Sequence, residues 1–77
     1  MTSIQSFKGN AAGLEALMLE GKSVPFQYRK LDGSIRKAIG RIPRDSRRED
    51  MGQQGRLFRY WDGIMGGWRS FYVRNLL

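Results

Sequence analysis

The sequence predicts a mainly β protein: a small SH3- or Sm-like barrel of four to five strands with one short N-terminal α-helix. Three observations predict it. An alternating apolar run breaks at Asp32 and Gly33 and resumes beyond them, two aromatic-rich runs flank a glycine turn at residues 63–67, and a single helical-period patch precedes both. Curling so few strands into a barrel would remove exposed edges. The alternative is an open α+β sheet with the helix lying across one face.

The helix is predicted over residues 10–21. Asn10 can cap a helix that starts at Ala11, Leu14, Leu17 and Met18 recur on one face, and Gly21 is a natural stop. The preceding residues 3–9 are short and polar, with Phe7 placed to staple onto the helix.

A first hairpin is predicted over residues 24–42. Val24, Phe26 and Tyr28 share one face of the outgoing strand, and Asp-Gly is the dipeptide of the tightest hairpin turn, in which both central residues take positive φ. The return strand carries Ile35, Ala38, Ile39 and Ile42 without clean alternation, so Gly40 is read as a bulge or bend. Residues 43–55 are polar and charged and read as a long loop with little to give the core. Within it, Arg44, Arg47 and Arg48 face Asp45, Glu49 and Asp50 and are expected to pair locally.

The second hairpin is predicted over residues 56–74. Alternation assigns Phe58, Tyr60, Phe71 and Val73 to the core and leaves Leu57, Arg59 and Trp61 on the opposite face. Trp68, following two glycines, reads as a ring that lids the barrel end.

Seventy-seven residues make one domain, over residues 1–77, of a size at which a single core supplies only about 3 to 5 kcal/mol. Neither Cys nor His is present, which excludes disulfides and thiolate or imidazole zinc sites. No metal and no cofactor is therefore predicted, and self-association into a homo-oligomer is one way such a chain could gain stability. The N-terminal residues lack a basic start followed by an apolar run, and the longest apolar patch is far too short to span a bilayer. A cytoplasmic protein without a membrane partner is expected.

Fourteen Lys and Arg oppose seven Asp and Glu, a net charge of +7 that favours a polyanion as partner. Most of those cations are Arg, whose planar fork suits phosphate and base stacking better than an ammonium does. Two clusters are candidates for binding nucleic acid or an acidic protein surface. One is a basic finger at the first hairpin: Arg29, Lys30, Arg36, Lys37 and Arg41. The other is Arg59, Trp61, Arg69 and Tyr72 in the second hairpin, where Trp61 would stack on a base unless Arg59 already covers it. Arg69 falls in the apolar set and needs a bend in the strand to reach the surface.

Residues 26–40, 58–62 and 67–71, in that order, resemble a family of small bacterial and phage domains described as WYL-like, with an Sm-like SH3 barrel. The resemblance implies the barrel fold, a binding module associated with ligand sensing or nucleic acid, and a phage or mobile-element setting, with a host cytoplasm as the site of action. The Trp-Tyr-Leu tripeptide itself is absent, so no ligand site is carried over. Catalysis has no support in the residues: Asp32, Asp45, Glu49, Asp50 and Asp62 have turn or loop roles, Ser70 has no base partner, and the glycine turn lacks the lysine and helix of a phosphate loop. The sequence thus points to a non-enzymatic nucleic-acid-binding domain, with a module that docks on a host protein as the alternative.

Overall fold

The computed structural model describes residues 6–46 and 50–77. Helix α1 (Ala11–Leu19) is followed by strands β1 (Val24–Arg29), β2 (Ile35–Arg41), β3 (Gly52–Gln54), β4 (Leu57–Asp62) and β5 (Gly67–Tyr72), then a 3-10 turn at Val73–Asn75. Asn10 caps α1 as its position foretold: its Oδ1 accepts from the Gly13 N–H at 2.9 Å. Of the residues around this cap, 3–5 lie outside the described part of the chain.

All strand pairings are antiparallel, in the order β1-β2-β4-β3, with β5 on β4. Strand β4 is the hub. It pairs along its whole length with β5, with β3 at residues 57–59, and with β2 only through Gly40↔Asp62 and Arg41↔Trp61.

The sheet does not close into the barrel expected from the sequence. Among the described residues β1 and β5 share no ladder, because the chain leaves Tyr72 into the 3-10 turn and returns to β1 only at the isolated bridge Tyr28↔Leu76. Leu77 N–H adds one hydrogen bond to the Gln27 carbonyl at 3.0 Å. The arrangement is an open five-stranded sheet with a helix packed on it, and a gap remains between the end of β1 and the free edge of β5.

The core lies between α1 and the concave side of this sheet. Ala11, Leu14 and Met18 of the helix meet Val24, Phe26 and Tyr28 of β1, Ala38 of β2, Phe58 and Tyr60 of β4 and Phe71 of β5, all buried, with Ile42 and Met51 beside them. Aromatic rings dominate: Tyr28 stacks on Phe71 at 4.5 Å and Phe58 on Phe71 at 5.2 Å. Val73, expected in the core, is only partly buried against it.

Three local expectations need correction. The first turn is not the two-residue type: its loop spans Leu31 to Gly33, with Gly33 N–H bonded to the Lys30 carbonyl at 3.0 Å and only Gly33 at positive φ (90°). This is a three-residue loop closed by a left-handed glycine. Asp32 supports it by accepting from the Ser34 N–H and hydroxyl at 2.9 and 2.6 Å.

Gly40 is not a bulge, since the β1–β2 register runs unbroken from Val24↔Gly40 to Arg29↔Ile35. A Cβ there would lie 2.6 Å from Tyr60, 2.9 Å from Phe26 and 3.1 Å from Met18, so glycine is needed where helix and strands approach most closely.

Residues 43–55 are also not all loop. They contain β3 and the buried Met51, and Gly55, at φ 60°, turns β3 into β4. The predicted pairing of Arg47 and Arg48 with Glu49 lies outside the described residues.

Candidate nucleic-acid interface

Period-two alternation decides which side chains share the concave side. On the concave side Tyr28 lies opposite Arg36 in the first hairpin and Tyr60 lies opposite Arg69 in the second. The two tyrosine hydroxyls meet at 3.1 Å, joining hairpins that are 32 positions apart in sequence. Burial, and after it the hydrogen bond with Tyr28, raises the Tyr60 pKa far above the ordinary phenol value, while Arg36 pulls the other way. Tyr60 therefore stays neutral and keeps its proton.

Beyond Tyr60 the same alternation buries Asp62, which is only 2 % exposed. Its Oδ1 accepts from the Ile64 and Met65 N–H groups at 2.8 and 3.0 Å, and its Oδ2 accepts from Arg69 Nε at 2.7 Å. Burial alone would raise this carboxyl's pKa. The two N–H groups and the Arg69 guanidinium outweigh it and hold the pKa below the ordinary aspartate value.

Arg69 thus does not leave the apolar set through a bend. It stays on the concave side, anchored by its Nε at the edge of the core, with its side chain one-third exposed (33%). Arg36, at the matching position of the first hairpin, makes no ion pair and no side-chain hydrogen bond among the described residues.

The gap between β1 and β5 forms a cleft of about 670 Å³. Five of the predicted binding residues line it: Arg29, Lys30, Arg36, Arg69 and Tyr72. Tyr28, Phe71 and Trp68 contribute further aromatic residues, and Asp32 is the one carboxylate in the lining. Arg29 is steadied by donating to the Gly33 carbonyl at 2.8 Å, and Lys30 lies 4.0 Å from Asp32.

The other four predicted residues go elsewhere. Arg41, Trp61 and Arg59 sit on the convex face, where Arg41 lies opposite Trp61 and Trp61 opposite Trp68 across three strands. Lys37 faces a neighbouring depression with Ile35, Ile64 and Met65, which shares Lys30 and Arg36 with the cleft.

The two tryptophans differ in exposure from the sequence reading. Trp68 is 43% exposed and is no lid, while Trp61 is half-buried and packs edge-on against it at 4.9 Å. The Arg59 guanidinium lies 5.8 Å from the Trp68 ring, not over Trp61. A second cleft of about 360 Å³, lined by Arg59, Gln54 and Asp50, shares Leu57, Trp68, Arg69 and Ser70 with the first, so the two run together over the β5 edge.

Sequence reasoning did not anticipate the exposure of Trp68 or the burial of Asp62. Both had a signal: Trp68 is the direct cross-strand partner of Trp61, and Asp62 continues the inward series of Phe58 and Tyr60.

Among the described residues no group of carboxylates could hold a metal ion, and no helix is long and apolar enough to cross a membrane. Neither the curated proteins nor the solved structures contain a significant match to the chain. The model of the WYL_2 family, described as an Sm-like SH3 beta-barrel fold, matches residues 12–77. That match takes in α1 from its second residue and every strand, including the segments whose resemblance was noted from the sequence, and the chain belongs to the WYL_2 family.

Proposed function

We propose that this protein is a non-enzymatic domain that binds single-stranded nucleic acid with little sequence preference, along the cleft between β1 and β5 and over the β5 edge. One observation carries the reading: Arg29, Lys30, Arg36 and Arg69 converge on one cleft with Tyr72 and Trp68 beside them and a single carboxylate in the lining. Cations along a groove hold the phosphates, and exposed rings stack on bases of any identity. The +7 charge of the chain adds long-range attraction.

Anisotropy titration of labelled single-stranded RNA, single-stranded DNA and duplex DNA over a range of salt tests this. Four phosphate contacts on a single strand give a slope of about −3 in log K against log salt. Absence of binding to all three at low salt would sink the proposal, because electrostatic attraction is strongest there.

A second reading, docking on an acidic protein surface, is favoured by a different observation. Leu31, Ile35, Ile64 and Met65 are exposed at the two hairpin tips, beside Lys30 and Lys37. Apolar anchors ringed by charge are a protein-interface pattern. Capture from lysate after nuclease treatment separates the readings: partners that persist favour protein docking, and partners that vanish favour nucleic acid.

A further inference from the structure

The concave end of the cleft has a finer structure than a generic basic groove. Arg36 and Arg69 stand cross-strand from Tyr28 and Tyr60, whose hydroxyls touch at 3.1 Å, so two arginines flank one tyrosine pair. In a hydroxyl pair only one proton is used between the oxygens. The other is left as a donor in a site where the Tyr60 hydroxyl stays protonated. Asp62 occupies Arg69 through Nε alone, which leaves the terminal Nη groups of its fork free of protein acceptors among the described residues. Arg36 has its whole fork uncommitted. Donors without acceptors on a half-buried surface call for an anion.

The donors and shape of the site select the kind of anion. A phosphodiester carries one negative charge and offers two free oxygens, whereas a phosphomonoester carries about −1.5 to −2 at neutral pH and offers three. Asp62 offsets one of the two guanidinium charges, so it is the number of donors, two forks and a hydroxyl proton, that matches the three oxygens of the second. The cleft is also walled at one end, where the Tyr28↔Leu76 bridge and the Leu77 N–H bond to Gln27 stitch the chain terminus across the gap. This stitch closes the gap at the level of Tyr28, the cross-strand partner of Arg36.

We propose that this end of the cleft is a subsite for the phosphomonoester of a nucleotide, with Arg36 and Arg69 on the phosphate and Tyr72 and Trp68 along the path of the bases. The inference rests on the nucleic-acid reading above and specifies which part of the ligand the closed end takes. Two sources carry the group, a free mononucleotide and the phosphorylated end of a strand.

The test compares labelled fifteen-residue oligothymidylate bearing a 5′-phosphate with the same oligomer bearing a 5′-hydroxyl. The 5′-phosphorylated strand is expected to bind about tenfold more tightly, the worth of one added charge-assisted hydrogen bond. In Arg36→Gln that ratio falls to about one, whatever happens to either affinity, with circular dichroism confirming the fold. Equal binding of the two strands to the unaltered protein overturns the subsite while leaving the nucleic-acid reading intact. No binding of either strand overturns both. Competition with thymidine 5′-monophosphate against thymidine separates the sources. Displacement by the free nucleotide at the oligomer's own concentration assigns the site to mononucleotides, and a requirement for the strand assigns it to strand ends; both uphold the subsite.

Discussion

Replacing Asp62 by Asn removes one charge and changes almost no volume, so its effect falls chiefly on the bond to Arg69, with some weakening of the two N–H bonds. Oδ1 remains to accept from the Ile64 and Met65 N–H groups, whereas the 2.7 Å contact from Arg69 Nε becomes a meeting of two donors. A hydrogen bond between charged groups contributes about 1.5 to 3 kcal/mol. Arg69 is one-third exposed and recovers hydration when released, so the lower end applies and Asp62→Asn should cost about 1.5 kcal/mol. A domain this small loses about 1 kcal/mol of stability per molar urea, so the unfolding midpoint should fall by about 1.5 M.

The Trp61–Trp68 pair is a native fluorescence probe for that titration, because Trp68 adjoins Arg69 in β5. The pH dependence gives an independent readout. The folded-state pKa of Asp62 is depressed, so its contribution is present above the unfolded value and is lost as pH falls through the folded one. The native protein should therefore lose stability as the medium is acidified below about pH 4, and Asp62→Asn should show a shallower loss. An unmoved midpoint at neutral pH, or an unchanged acid limb, would refute the role given to this carboxylate.

Three further outcomes follow from the packing. Gly40→Ala drives a methyl into Tyr60, Phe26 and Met18 and should cost about 1 to 3 kcal/mol or more in the same urea titration. Asn10→Ala removes the acceptor for the Gly13 N–H and should cost about 1 kcal/mol, seen as a lower melting temperature by circular dichroism. Trp68→Ala should weaken single-strand binding by about 1 to 3 kcal/mol in an anisotropy titration. Trp61→Ala should weaken it less, since that ring is half-buried against Trp68.

The sequence carried those features that depend on neighbours a few positions apart. Asn10 precedes an apolar face and caps it, Val24, Phe26 and Tyr28 alternate and are buried, and Phe58 and Tyr60 do the same. What it hid depends on the third dimension or on a conflict with propensity. Gly52, Gln53 and Gln54 are poor strand formers, and they pair because the Gly55 turn presses them onto β4. The cleft was half legible: the cations were visible, but their convergence depends on the Tyr28–Tyr60 contact between distant hairpins. Closure of the sheet was misjudged because strand number and glycine content do not reveal that a 3-10 turn after Tyr72 withdraws the chain from β1.

The narrow junction between β2 and β4 has a mechanical consequence. Two ladder pairs, at residues 40–41 and 61–62, form the spine of a book whose pages are the two hairpins and whose fore-edge, the gap between β1 and β5, is stitched at one end by Leu76 and Leu77. Bending at so short a spine breaks few hydrogen bonds, while the long ladders within each page stay whole. Amide exchange should accordingly divide the sheet into two slow blocks with a faster line at the spine.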